Sequence, residues 1–175
     1  VRAHKGAARW VVRVRGRSAH SSRPDRGVNA IVRMARVVLC LERHHKETLT
    51  RRTHDLLGHA TLSVGTISGG QAVNTVPDLC TVRIDRRLLP GETAEQALEE
   101  MREAIRRDAE IDFDVEFVKT SMDLAGLDTP EDSPVVRRAV RACERVLGRA
   151  RLAGAPYGTD AAVYAAAGVS SIVLG

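Results

Sequence analysis

At 175 residues the chain is long enough for one ordinary domain, or for a small domain plus part of another, and it can bury a core without disulfide staples. A 43% hydrophobic content with only 3% aromatics describes an aliphatic core, and no apolar run approaches the roughly 20 residues of a membrane-spanning helix, so no membrane partner is expected. The net charge of +5 rests on dispersed arginines, and because nucleic-acid surfaces cluster their cations and interleave aromatics, no nucleic-acid partner is expected either. Cys40, Cys80 and Cys143 are odd in number and far apart, which argues for reduced thiols. The chain starts at Val1 rather than Met and carries no signal-like segment, so a truncated start and a cytoplasmic location are expected.

Trp10 to Gly16 alternates, with Trp10, Val12 and Val14 on one face, as in a half-buried strand. From Val28 to Glu42 the period becomes helical, with Val28, Ile31, Met34, Ala35, Val38 and Leu41 as the apolar stripe and Pro24-Asp25 as the start signal. After a polar connection from Lys46 to Gly58, Thr61–Ile67 reads as a second strand. Leu79–Arg87 reads as a third, with Cys80, Val82 and Ile84 inward and Thr81, Arg83, Asp85 and Arg87 outward. Thr93 and Gln96 form a capping box for a helix whose stripe is Ala97, Leu98, Met101, Ala104 and Ile105. Ile111–Val118 reads as a fourth strand. The order β, α, β, β, α, β predicts an α+β fold of the ferredoxin-like (βαββαβ) kind.

Met122 to Pro130 reads as a connector. Ser133 and Pro134 then start a helix that Gly148 closes. A short strand near Leu152, a helix from Thr159 to Ala167 and a strand from Ser171 to Leu174 follow as an incomplete α/β segment, which stops at Gly175 in mid-unit.

Candidate chemistry is sparse. Ser21 beside His20 is poor material for a nucleophile and its base, because neighbours in an extended segment point apart. Cys40, His44, His54 and His59 lack matched pairs at zinc-ligand spacing, and the carboxylates Asp112, Asp114, Glu99 and Glu100 lie on outer faces. Arg87 ends a strand with a planar fork suited to a carboxylate, unless it is simply a surface arginine paired to Asp85. Asn74 is a turn residue or a ligand amide. Gly158 and Thr159 open a helix whose N–H groups can hold an anion or be capped by the threonine.

In this order, VRAHKG, GRSAHSSRPDRGVNAI, SGGQAVNTVPD, DRRLLPGE and YGTDAA followed by SSIVLG resemble the zinc-dependent amidohydrolase and peptidase family that includes acetylornithine deacetylase, succinyl-diaminopimelate desuccinylase and glutamate carboxypeptidase. VRAHKG and HSSRPDRGVNAI are most similar to the deacetylase branch. The resemblance implies a lid, or dimerisation, domain over residues 5–118 and a partial return into a zinc-binding catalytic domain over residues 119–175. It implies a homodimer formed through the lid and a substrate of the N-acyl amino acid or small-peptide class. It also implies a dinuclear zinc site whose ligands lie outside this chain, so that the segment by itself is inactive. At matching positions His20 is the lid histidine that stabilises the oxyanion, across the subunit boundary, and Asn74 stands beside it. Arg87, Gly158 and Thr159 are the groups that bind substrate. Ala161 and Ala162 stand where some relatives carry an arginine. The competing expectation is a free-standing ferredoxin-like interaction or ligand-binding module without catalysis; RNA recognition by its sheet would need aromatics on LCTVRIDRR and TLSVGTI, which carry none.

Overall fold

Strand alternation builds the main sheet. The computed structural model describes residues 1–174, with residues 119–121 described only through the strand that contains them. In chain order the elements are β1 (Ala3–His4), β2 (Gly6–Arg15), β3 (Ala19–His20), α1 (Ala30–Glu47), β4 (Thr53–His54), β5 (Gly58–His59), β6 (Thr61–Gly69), β7 (Thr75–Val76), β8 (Leu79–Leu88), α2 (Ala94–Arg106), β9 (Val115–Leu124), β10 (Leu127–Asp128), α3 (Pro134–Leu147), β11 (Gly154–Ala155) and α4 (Ala161–Ala166). Four of them form an antiparallel sheet in the order β6–β8–β2–β9. Trp10, Val12 and Val14 of β2 and Cys80, Val82 and Ile84 of β8 are buried on one face, under α1 and α2. Each fully buried side chain of this kind contributes about 1.5–3 kcal/mol. The other face carries the polar partners, among them Arg9, Arg13, Asp85 and Arg87.

Thr93 caps α2 by accepting from the Gln96 N–H at 3.2 Å, while the Gln96 side chain accepts from the Thr93 N–H at 3.0 Å, as the capping-box spacing predicts. Ser133 likewise accepts from the Val136 N–H at the start of α3.

A second sheet, β10–β1–β11, holds the chain start: β1 runs antiparallel to β10 and parallel to β11. The backbone therefore crosses between the two sheets at Lys5 and again at Ala125–Gly126. The β4–β5 ribbon reaches over the same junction, with Leu57 buried and His54 Nε2 placed 3.2 Å from Asp128 Oδ2 on β10.

Several boundaries differ from the sequence reading. Pro24–Arg26 makes only a 3-10 turn, and α1 begins at Ala30 because Asn29 Oδ1 accepts from the N–H groups of Ile31 and Val32, while the Val28 N–H is bonded to the Arg17 carbonyl. Its buried stripe is Ala30, Met34, Val37, Cys40 and Leu41, which leaves Ile31 and Ala35 exposed. The fourth strand starts at Val115 rather than Ile111, since Val14 pairs with Val115 near the end of β2 and residues 111–114 have no ladder partner. It then runs on to Leu124, through the first part of the expected connector, because β2 continues opposite it to Ala7. The strand expected near Leu152 lies at Gly154–Ala155, where β1 supplies its neighbour. Ser171–Leu174 forms no regular strand, although Val173 exchanges two backbone hydrogen bonds with Val1. The expected end at Gly175 lies outside the described residues.

Candidate functional site

His20 and Asn74 come together at one end of the main sheet. β3 pairs with β7, His20 opposite Thr75, and the Ser21 N–H donates to the Asn74 carbonyl at 2.9 Å. The ribbon is seated by Gly16, whose N–H donates to the Asp78 carbonyl. A Cβ at Gly16 would stand 2.0 Å from the Val28 carbonyl oxygen, so only glycine allows the approach. His20 is exposed, and its Nδ1 lies 2.8 Å from Ser22 Oγ and accepts from the Ser22 N–H at 3.2 Å.

Arg87 is far from this pair. At about 3.3 Å per residue the run from Leu79 to Arg87 along β8 spans roughly 26 Å. Arg87 is opposite Ala7 on β2, close to the Lys5 crossing. Gly158 belongs to the same end, since a Cβ there would meet Leu124 Cδ2 at 2.4 Å and the Lys5 carbonyl at 3.1 Å. Thr159 follows it and stays outside α4, which is shorter than the expected Thr159–Ala167. Its Oγ1 accepts from the Ala161 N–H at 3.3 Å, whereas Asp160 makes no side-chain cap. The structure thus forms two groups, His20 with Asn74 and Arg87 with Gly158 and Thr159.

Arg87 is ion-paired. Its Nε is 2.7 Å from Asp85 Oδ1, and Arg9 Nε holds Asp85 Oδ2 at 2.8 Å, so one carboxylate is shared by two guanidiniums.

The adjacent Arg86 escaped the sequence reading although strand parity places it inward with Val82 and Ile84. It is 1% exposed, with Nη2 at 3.1 and 3.2 Å from the two Glu92 oxygens, and Glu92 also accepts from the Leu89 N–H at 2.8 Å. Burial pushes its guanidinium below the ordinary value, and Glu92 opposes that shift. Lys5 is also buried and donates to the His59 carbonyl. Burial, and then Arg86 and Arg87, hold its ammonium below the usual lysine range. These groups brace the end of the sheet that carries Arg87.

Among the described residues, no three His, Cys, Asp or Glu side chains group closely enough to hold a metal ion. The donors among the described residues therefore do not fit a zinc pair. No helix among the described residues is long and apolar enough to cross a membrane.

A four-stranded antiparallel sheet backed by two helices carries the His20–Asn74 turn at one end and a double crossing to a second sheet at the other. Residues 2–112 match the peptidase dimerisation domain family, and the chain belongs to it. It is 34% identical to acetylornithine deacetylase of Myxococcus xanthus, over 100% of this chain and 46% of that protein. With acetylornithine deacetylase of Vibrio vulnificus it shares 33% identity, over 82% of this chain and 39% of the relative. The chain therefore spans less than half the length of these relatives. Aminopeptidase PepT from Bacillus cereus superposes with a TM-score of 0.75 at 27% identity, covering 97% of this chain and 43% of that one. An M20 family metallo-carboxypeptidase from Sulfolobus solfataricus reaches a TM-score of 0.74 at 14% identity, over 94% of this chain and 55% of that one, a likeness of fold alone.

Proposed function

We propose that this chain is the lid, with part of the catalytic half, of a cytoplasmic metal-dependent hydrolase that cleaves the amide bond of an N-acyl amino acid or small peptide, in the manner of an acetylornithine deacetylase. The family and its named relatives support the reaction class. The strand order β6–β8–β2–β9 with α1 and α2 on one face supports the ferredoxin-like reading of the lid, assigned to residues 5–118, with the sheet itself continuing to Leu124. Residues 119–175 are assigned to the catalytic half. The zinc ions belonging to this reading would polarise the acyl carbonyl and activate water, on ligands outside this chain.

The observation that carries the proposal is the separation of the two site groups. His20 with Asn74, and Arg87 with Gly158 and Thr159, sit at opposite ends of β8 and cannot meet around one small substrate within one chain. Two copies can satisfy both groups, if the lid of one presents His20 to the other. The N–H groups of Arg87 not occupied by Asp85, with Thr159 and the backbone at Gly158, hold the substrate carboxylate. His20 donates a hydrogen bond to the acyl oxygen as negative charge develops there, and the Asn74 amide adds a second donor. Edge strand β6 and the exposed apolar residues Ile31, Val32 and Leu39 of α1 and Ile67 of β6 are the surface that supports a lid-to-lid homodimer.

In the intact enzyme, His20→Ala should lower turnover about 10²- to 10³-fold with metal content unchanged. Wild-type turnover in that variant would end the assignment. Mixing His20→Ala with Arg87→Ala subunits should restore roughly a quarter of wild-type activity, because half of the dimers are mixed and each holds one complete site. Verified heterodimers without activity would rule out action across subunits.

A further inference from the structure

We propose that Ser22 is a positioning residue that fixes the tautomer of His20. The inference rests on the reading of His20 as the hydrogen-bond donor to the acyl oxygen.

A neutral imidazole has one N–H donor and one lone-pair acceptor, and which nitrogen carries the proton is set by the bond the other makes. The Ser22 backbone N–H can only donate, and it points at His20 Nδ1 from 3.2 Å. That bond favours the lone pair on Nδ1 and the proton on Nε2. Ser22 Oγ, 2.8 Å from the same Nδ1, is the second donor and strengthens the preference. The opposite tautomer would set Nδ1–H against the backbone N–H and turn a lone pair toward the developing oxyanion. The turn that carries these donors is tied down on both sides. The Arg23 N–H donates to the His20 carbonyl and the Ser21 N–H to the Asn74 carbonyl, both at 2.9 Å. Ser22 thus acts on the acyl oxygen only through the ring, and the spacing His-x-Ser inside a closed turn is what makes it possible.

The test uses the full-length enzyme with ring nitrogens labelled by 15N, the His20 signals being assigned as those lost in His20→Gln. At a pH where the ring is neutral, long-range proton–nitrogen spectra should show His20 protonated at Nε2. Ser22→Ala, which keeps the backbone donor and loses the hydroxyl, should shift part of the population to the Nδ1–H form. It should also lower kcat about three- to tenfold with KM unchanged. Ser22→Thr should restore both. A wild-type ring protonated at Nδ1, or a Ser22→Ala enzyme with wild-type spectrum and kcat, would overturn the inference. Failure of the underlying reading has a different signature: His20→Ala would turn over at the wild-type rate whatever the ring spectrum shows.

Discussion

Arg86 and Arg87 are neighbours in sequence with opposite surroundings. Arg87 shares Asp85 with Arg9 on the outer face, where an ion pair contributes little and a substrate anion can compete for the fork. Arg86 is enclosed, and Glu92 is the carboxylate that forms an ion pair with it among the described residues. Removing one member of such a pair leaves the other buried and uncompensated, whereas removing both can be nearly neutral. Glu92→Leu should lower the unfolding free energy in urea by about 3–5 kcal/mol, and Arg86→Met combined with Glu92→Leu should recover most of that loss. A single-variant effect below about 1 kcal/mol would show that Arg86 finds another partner. Strand alternation alone marks Arg86 as inward, because it continues the series Cys80, Val82, Ile84. Its glutamate could not be found that way, since the contact depends on how the chain turns after Leu88.

At the scale of elements, the tight seat under the His20 ribbon is the most vulnerable joint. Gly16→Ala forces a Cβ against the Val28 carbonyl, and the backbone must move, at a cost of about 2–3 kcal/mol. Gly65→Ala, where the nearest atom would be the Arg83 carbonyl at 3.8 Å, should change stability by less than about 0.5 kcal/mol. Urea denaturation of the two variants distinguishes these outcomes, and amide exchange should quicken at Arg17 and Val28 in the first only. The interiors of the main elements were legible in the sequence: the faces of β2 and β8 and the capping box of α2 follow from period and spacing. Their ends were less so. The start of α1 is set locally by the Asn29 cap, which lies beyond the Pro24-Asp25 signal read as the helix start. β9 takes its limits from its partner β2, a long-range contact that no local pattern encodes. The pairing of β1 with β10 and β11 is invisible for the same reason, each strand being only two residues long.

At the scale of the whole molecule, the proposed chemistry calls for two copies, because one chain holds its two candidate groups at opposite ends of a sheet. Val32→Glu combined with Ile67→Lys places charge on the exposed apolar surface of α1 and β6. The full-length variant should become monomeric by light scattering, keep its unfolding midpoint and lose turnover. A monomer with full turnover would refute the composite site. The candidate residues themselves were legible as a set of motifs, but their division into two groups was not, since it is a matter of distance along β8.

The double crossing at Lys5 and at Ala125–Gly126 has a mechanical consequence. Two short tethers side by side bend together about the single line that joins them, and any twist of one sheet against the other must stretch one tether while it compresses its neighbour. His54 with Asp128, and Lys5 on the His59 carbonyl, add a clasp to one side of that line. Bending about this line is thus less constrained than torsion. In the proposed lid, that constraint would return His20 along the same arc at each closure.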